Sequence, residues 1–76
     1  MSPLREKFGK RLRAMRKERE LPQERFAEML GISVDFLSLI ERGINAPSFE
    51  TLEQIAKRLR LPVKDLFDFS EKRPSK

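Results

Sequence analysis

With 76 residues the chain is one small domain, and a domain of this size buries only about 60% of the surface its unfolded chain exposes, which leaves little room to enclose an active site. Cys, His, Tyr and Trp are absent, which excludes disulfides, a Cys/His zinc site and thiol or imidazole catalysis. The net charge of +5 arises entirely in residues 1–25, where nine Lys/Arg face four Asp/Glu, while residues 26–76 hold eight of each.

Such a placement attracts polyanions by steering and counterion release, or else simply solvates a basic helix. No apolar run approaches the roughly 18 residues of a membrane span. The stretch Met1-Ser2-Pro3-Leu4-Arg5-Glu6-Lys7 lacks the apolar core of a signal peptide. The expected location is therefore cytoplasmic, away from any membrane.

The punctuation predicts five helices and no strand. Ser2 is placed to cap the first, with Pro3 at its first position. Leu4, Phe8, Leu12 and Met15 then recur at spacings of about four, four and three as one apolar stripe. This helix runs to about Arg19, and Leu21-Pro22 ends it, because the residue before proline is pushed out of helical geometry. The second runs from about Gln23 to Leu30, with Phe26, Ala27 and Leu30 inward, and Gly31 stops it. The third, about 33–42, opens on Ser33 as N-cap with Asp35 near the positive end of the helix dipole. Its limit is Gly43. Ile44-Asn45-Ala46-Pro47 leads to Ser48, another N-cap, and the fourth helix buries Leu52, Ile55, Ala56 and Leu59. Pro62 breaks that helix and starts a short fifth, Val63 to about Phe69. The domain is expected over 1–69, followed by a polar, frayed tail at 70–76.

Two short helices joined at a glycine corner form a helix-turn-helix. Ala27 lets the helices cross closely, Gly31 turns the chain, and Leu37 plugs the second helix into the core. Corners of this kind also occur in proteins that bind no DNA. More specific is the run of phrases Phe8-Gly9-Lys10-Arg11-Leu12-Arg13 with Arg16, Gln23-Glu24-Arg25-Phe26-Ala27, Leu30-Gly31-Ile32-Ser33, Ile40-Glu41-Arg42-Gly43, Pro47-Ser48 and Leu52-Glu53-Gln54-Ile55-Ala56-Lys57-Arg58-Leu59. From Phe8 to Phe67 the chain resembles the Cro/cI-type (XRE) family of transcriptional repressors. Phe36-Leu37-Ser38 ahead of Ile40 is similar to the short controller proteins of restriction-modification systems.

The resemblance implies an all-α, five-helix, lambda-repressor-like DNA-binding domain that regulates transcription. It implies that Gln23 holds a phosphate at the start of the second helix. It also implies that Arg16 and Glu41 bond across the first and third helices, as a structural ion pair or a DNA contact, and that the loop after Gly43 follows the DNA backbone. The chain departs from the family at Val34, Asp35 and Leu39, where Gln, Arg, Lys, Thr or Asn is usual. Ile44 replaces a usually basic residue, and Pro22 stands where a hydroxyl N-cap is preferred.

At 100° per residue, Ser33, Leu37, Ile40 and Glu41 share the inner side of the third helix. Asp35, Ser38, Leu39 and Arg42 share the outer side, with Val34 and Phe36 at the borders. The expected base-facing residues are Val34, Asp35, Ser38 and Leu39, and the expected phosphate contacts are Gln23, Arg42, Asn45 and Ser33. Asp35 suits a cytosine amino group, and Val34 and Leu39 suit thymine methyls. Alternatively, Val34, Phe36 and Leu39 form one apolar patch for a protein partner, or Phe36 folds back against the core.

The pairs Glu24/Glu28, Glu50/Glu53 and Asp65/Asp68 have basic neighbours and read as solvated surface. Neither a phosphate-binding loop nor a nucleophile–base pair is present. No catalytic residue, metal, cofactor or small-molecule ligand is therefore expected. One short reading helix is a small footprint, so a homodimer on a two-fold symmetric DNA site is expected, with half-sites about 34–36 Å apart. Val63, Phe67 and Phe69 are the candidate subunit contacts.

Overall fold

Serine, proline and glycine set the helix limits of the computed structural model, which describes residues 3–70. Four α-helices follow in order, α1 (Pro3–Glu18), α2 (Gln23–Leu30), α3 (Val34–Glu41) and α4 (Phe49–Leu59), and a 3-10 turn spans Val63–Phe67. Among the described residues there is no strand. The expected Ser2 cap, and the expected tail from residue 71 onward, lie outside the described residues.

Ser33 and Ser48 cap α3 and α4, their Oγ atoms accepting from the N–H groups of Phe36 at 3.0 Å and Thr51 at 3.1 Å. At the end of α2, Gly31 takes the left-handed conformation (φ 77°) that a side chain resists. At the end of α4 the same conformation is held by Arg60 (φ 61°), without glycine's freedom.

The expected fifth α-helix is a 3-10 turn, two residues shorter than Phe69 would make it. The segment between Pro62 and Asp68 is only five residues long, and 3-10 geometry is used in such short pieces. Asp68 then leaves helical geometry (φ −85°, ψ 97°), and its Oδ1 accepts from the Ser70 N–H at 3.1 Å and hydroxyl at 2.7 Å. This side-chain turn competes with helix continuation.

Phe8, Leu12 and Met15 of α1 meet Phe26, Ala27, Leu30, Leu37, Ile40, Leu52, Ile55, Ala56, Leu59 and Leu66 in one core. Leu4 does not join them. It is 54% exposed, because the first turn of α1 stands at the rim of a shallow groove beside Phe49 rather than under a covering element. Helices α1 and α3 touch backbone to backbone at Gly9, where any Cβ would overlap the carbonyl oxygen of Ile40. From the other side, α4 clasps the corner. Gln54 Nε2 donates to the carbonyls of Leu30 (2.7 Å) and Gly31 (3.2 Å), and Arg58 donates to that of Met29 (3.0 Å). These bonds satisfy carbonyls that the end of α2 would otherwise leave without partners.

Candidate nucleic-acid interface

Everything that could be read on α3 depends on which of its sides is held inside. Leu37 and Ile40 are fully buried, and the Glu41 side chain is only 3% exposed. The opposite side carries exposed Val34, Asp35 and Arg42, with Ser38 and Leu39 half-buried. Leu39 is partly covered because the following loop folds back on it, the N–H groups of Ile44 and Asn45 donating to its carbonyl at 3.0 and 3.3 Å. Phe36 packs against the core. The continuous apolar patch of Val34, Phe36 and Leu39 is therefore interrupted at its middle residue.

Glu41 is the hub that fixes this orientation. Arg16 grips it with two bonds, Nε to Oε2 at 2.8 Å and Nη2 to Oε1 at 3.0 Å. The remaining Arg16 nitrogen donates to the Leu21 carbonyl at 3.0 Å, and Gln23 Nε2 donates to Glu41 Oε1 at 3.0 Å. One carboxylate thereby joins α1, the link before α2, the first residue of α2 and the end of α3. Its hydrogen bond raises the Arg16 guanidinium above its ordinary value, against the opposing effect of partial burial.

Gln23, expected against a phosphate, also bonds Glu41, a contact that its sequence position does not predict. The two are 18 residues apart, and no periodicity links them. Gln23 retains a second amide hydrogen and sits at a helix N-terminus that no side chain caps, where backbone N–H groups favour an anion. Ser33 and Asn45 are exposed, as is the guanidinium of Arg42, which has no partner among the described residues. On α1, Lys7, Lys10, Arg13 and Lys17 are all exposed, whereas Arg11 is tied to the Asp65 carbonyl at 3.0 Å.

The described residues contain no group of three or more side chains able to hold a metal ion, and no helix among them is long and apolar enough to cross a membrane.

The sequence model of the helix-turn-helix family matches residues 12–66, from the middle of α1 to the 3-10 turn. The chain belongs to the helix-turn-helix family.

Within the helix-turn-helix family this is the Cro/cI (XRE) type that the phrases between Phe8 and Phe67 resemble, and relatives bear the names of transcriptional regulators. The chain is 43% identical over 59 residues to the uncharacterized HTH-type transcriptional regulator YazB of Bacillus subtilis, covering 78% of this chain and 86% of that one. It is 34% identical over 73 residues to the control protein C.MunI of a Mycoplasma species, covering 95% and 99%. Other curated relatives are longer, the chain spanning 38–58% of their length. Among solved structures, the restriction-modification controller protein C.AhdI from Aeromonas hydrophila superposes with a TM-score of 0.75 at 32% identity, over 83% of this chain and 91% of that one.

Proposed function

We propose that this chain is a sequence-specific regulator of transcription that binds double-stranded DNA by laying α3 in the major groove. The observation that carries the reading is the outward side of α3, exposed at Val34, Asp35 and Arg42 on a helix whose inner side is fixed by Leu37, Ile40 and Glu41. Val34, Asp35, Ser38 and Leu39 face the bases, and Gln23, Ser33, Arg42 and Asn45 hold phosphates on either side. Arg16 and Glu41 act as the structural pair that sets the angle of the reading helix. The regulator acts in the cytoplasm, where a chain whose relatives come from bacteria and phages would meet its DNA.

The deciding experiment is fluorescence anisotropy with duplex DNA across a salt series. Arg42→Ala is expected to weaken binding to every sequence and to reduce the slope of log affinity against log salt by about one. Failure of the wild-type chain to bind random duplex even at low salt would overturn the reading in favour of a protein-binding module. The interruption of the apolar patch at Phe36 weighs against that module.

The active form is a homodimer on a two-fold symmetric site. Of the three residues expected at the contact, Phe67 turns inward with its ring 5.2 Å from that of Phe8, and Phe69 lies edge-on to Phe67 at 6.2 Å. Val63 remains 40% exposed. A larger apolar anchor is Phe49, 82% exposed, beside a groove of about 230 Å³ that Leu4, Phe8, Pro47, Leu52 and Phe67 line with it. A protruding ring next to an apolar groove is self-complementary, as a two-fold contact requires.

A further inference from the structure

We infer that the first reading contact of this regulator is a cytosine, with Asp35 accepting from its exocyclic N4 amino group and Val34 lying over its C5 edge, so that methylation at those two atoms acts in opposite directions. The inference rests on the proposed docking of α3 in the major groove, and it concerns which base the first turn selects.

Asp35 is the second residue of α3, is exposed, and its carboxylate has no hydrogen-bond or ionic partner among the described residues. Ser33, beside it, already uses its oxygen to cap the Phe36 N–H at 3.0 Å. A carboxylate accepts hydrogen bonds and donates none, and next to phosphates it is repelled, so its useful partner is a donor on a base edge. In the major groove only cytosine N4 and adenine N6 offer one, since guanine and thymine present acceptors there.

Adenine sets its N7 acceptor beside N6, where a second carboxylate oxygen would meet it lone pair to lone pair. Cytosine sets a C–H at position 5 beside N4 instead. That apolar edge matches Val34, the residue before Asp35 and 36% exposed, one helical step of about 1.5 Å and 100° away. The two side chains together describe cytosine and no other base: an acceptor for the amino group and hydrocarbon for its neighbour.

Methyl groups test the two halves separately. A methyl on N4 takes one amino hydrogen and puts bulk against the carboxylate. A methyl on C5 adds apolar surface under Val34 and leaves the amino group intact.

The experiment selects from a random duplex library with the full chain, as wild type and Asp35→Asn. Anisotropy follows on the selected duplex carrying cytosine, N4-methylcytosine or 5-methylcytosine. Wild type is expected to enrich one cytosine per half-site that becomes adenine with Asp35→Asn, because an amide pairs with adenine through both N6 and N7. N4-methylation should weaken binding about tenfold. C5-methylation should strengthen it by up to about fourfold, a gain lost in Val34→Ala. Both positions are on the surface, and circular dichroism melts of each variant report that the fold is kept. A wild-type consensus that Asp35→Asn leaves unchanged, or an Asp35-dependent position that is adenine, overturns the cytosine contact while leaving DNA recognition standing. No enrichment by wild type overturns the docking and the contact together.

Discussion

Glu41 is a carboxylate withdrawn from water and met by three donated hydrogen bonds, two from Arg16 and one from Gln23. Removing one partner of such a pair leaves the other charge buried and uncompensated. Glu41→Ala is expected to destabilise the domain by about 3 kcal/mol in urea unfolding, the lower end of the usual range, since the Arg16 side chain is 13% exposed and can partly regain water. Replacing both residues with apolar side chains should cost less than the sum of the single changes. Arg16 itself introduces no pH dependence in ordinary buffers. Its pKa is raised above the ordinary guanidinium value by the bond to Glu41, and a raised folded value contributes stability in full below the unfolded pKa, losing it only as pH rises through the folded one. Unfolding curves between about pH 6 and 9 should therefore show no Arg16 contribution to any change in stability. That Arg16 meets Glu41 is something the family phrases imply, but Gln23 as a third member was not legible. A bond between side chains on different helices leaves no pattern in local spacing.

Helix against helix, Gly9 sets how close α1 comes to α3. In isolation Gly9→Ala would favour the helix by about 1 kcal/mol. Here the added Cβ must overlap the Ile40 carbonyl, and backbone cannot yield as a side-chain tip can. A net loss of about 1–3 kcal/mol is expected from a thermal melt, overpacking outweighing propensity. Arg60 should behave in the opposite way. Its left-handed φ of 61° carries a penalty of about 1 kcal/mol that glycine avoids, so Arg60→Gly should leave stability unchanged or raise it by less than about 1 kcal/mol, after the entropy gained by the unfolded chain. Helix limits were legible wherever a single residue type dictates the backbone: Ser33 and Ser48 at starts, Gly31 at an end, Leu21-Pro22 as a break. The last segment was not, because Pro62 begins an α-helix or a 3-10 turn equally well, and the Asp68–Ser70 side-chain bonds that end it depend on a local geometry. Leu4 misled for a related reason. Periodicity assigns a residue to a stripe without saying how far along the helix the covering elements reach.

The described residues measure 34 × 27 × 21 Å. Two copies centred one DNA turn apart, about 34 Å, would meet at their edges if their long axes lay along the duplex, which is where an exposed apolar ring has most effect. Phe49→Asp is expected to shift the chain to monomer in analytical ultracentrifugation and to weaken binding to a two-half-site duplex at least tenfold, as cooperative pairing is lost. Binding to a single half-site should be unaltered, and Val63→Asp should have a smaller effect on assembly. The outward presentation of α3 was legible from Leu37 and Ile40 alone, while the prominence of Phe49 was not, since a phenylalanine at a helix start looks the same in sequence whether covered or bare.

The shared carboxylate of Glu41 has one more consequence. Because Gln23, the first residue of α2, is bonded to the carboxylate that the far end of α3 carries, the part proposed to grip the sugar-phosphate rail and the part proposed to inspect the bases swing as one lever. Loosening that mooring with Glu41→Gln should blur discrimination between right and wrong sequences well before it diminishes general attraction to DNA, and the ratio of the two affinities is where such a change will register first.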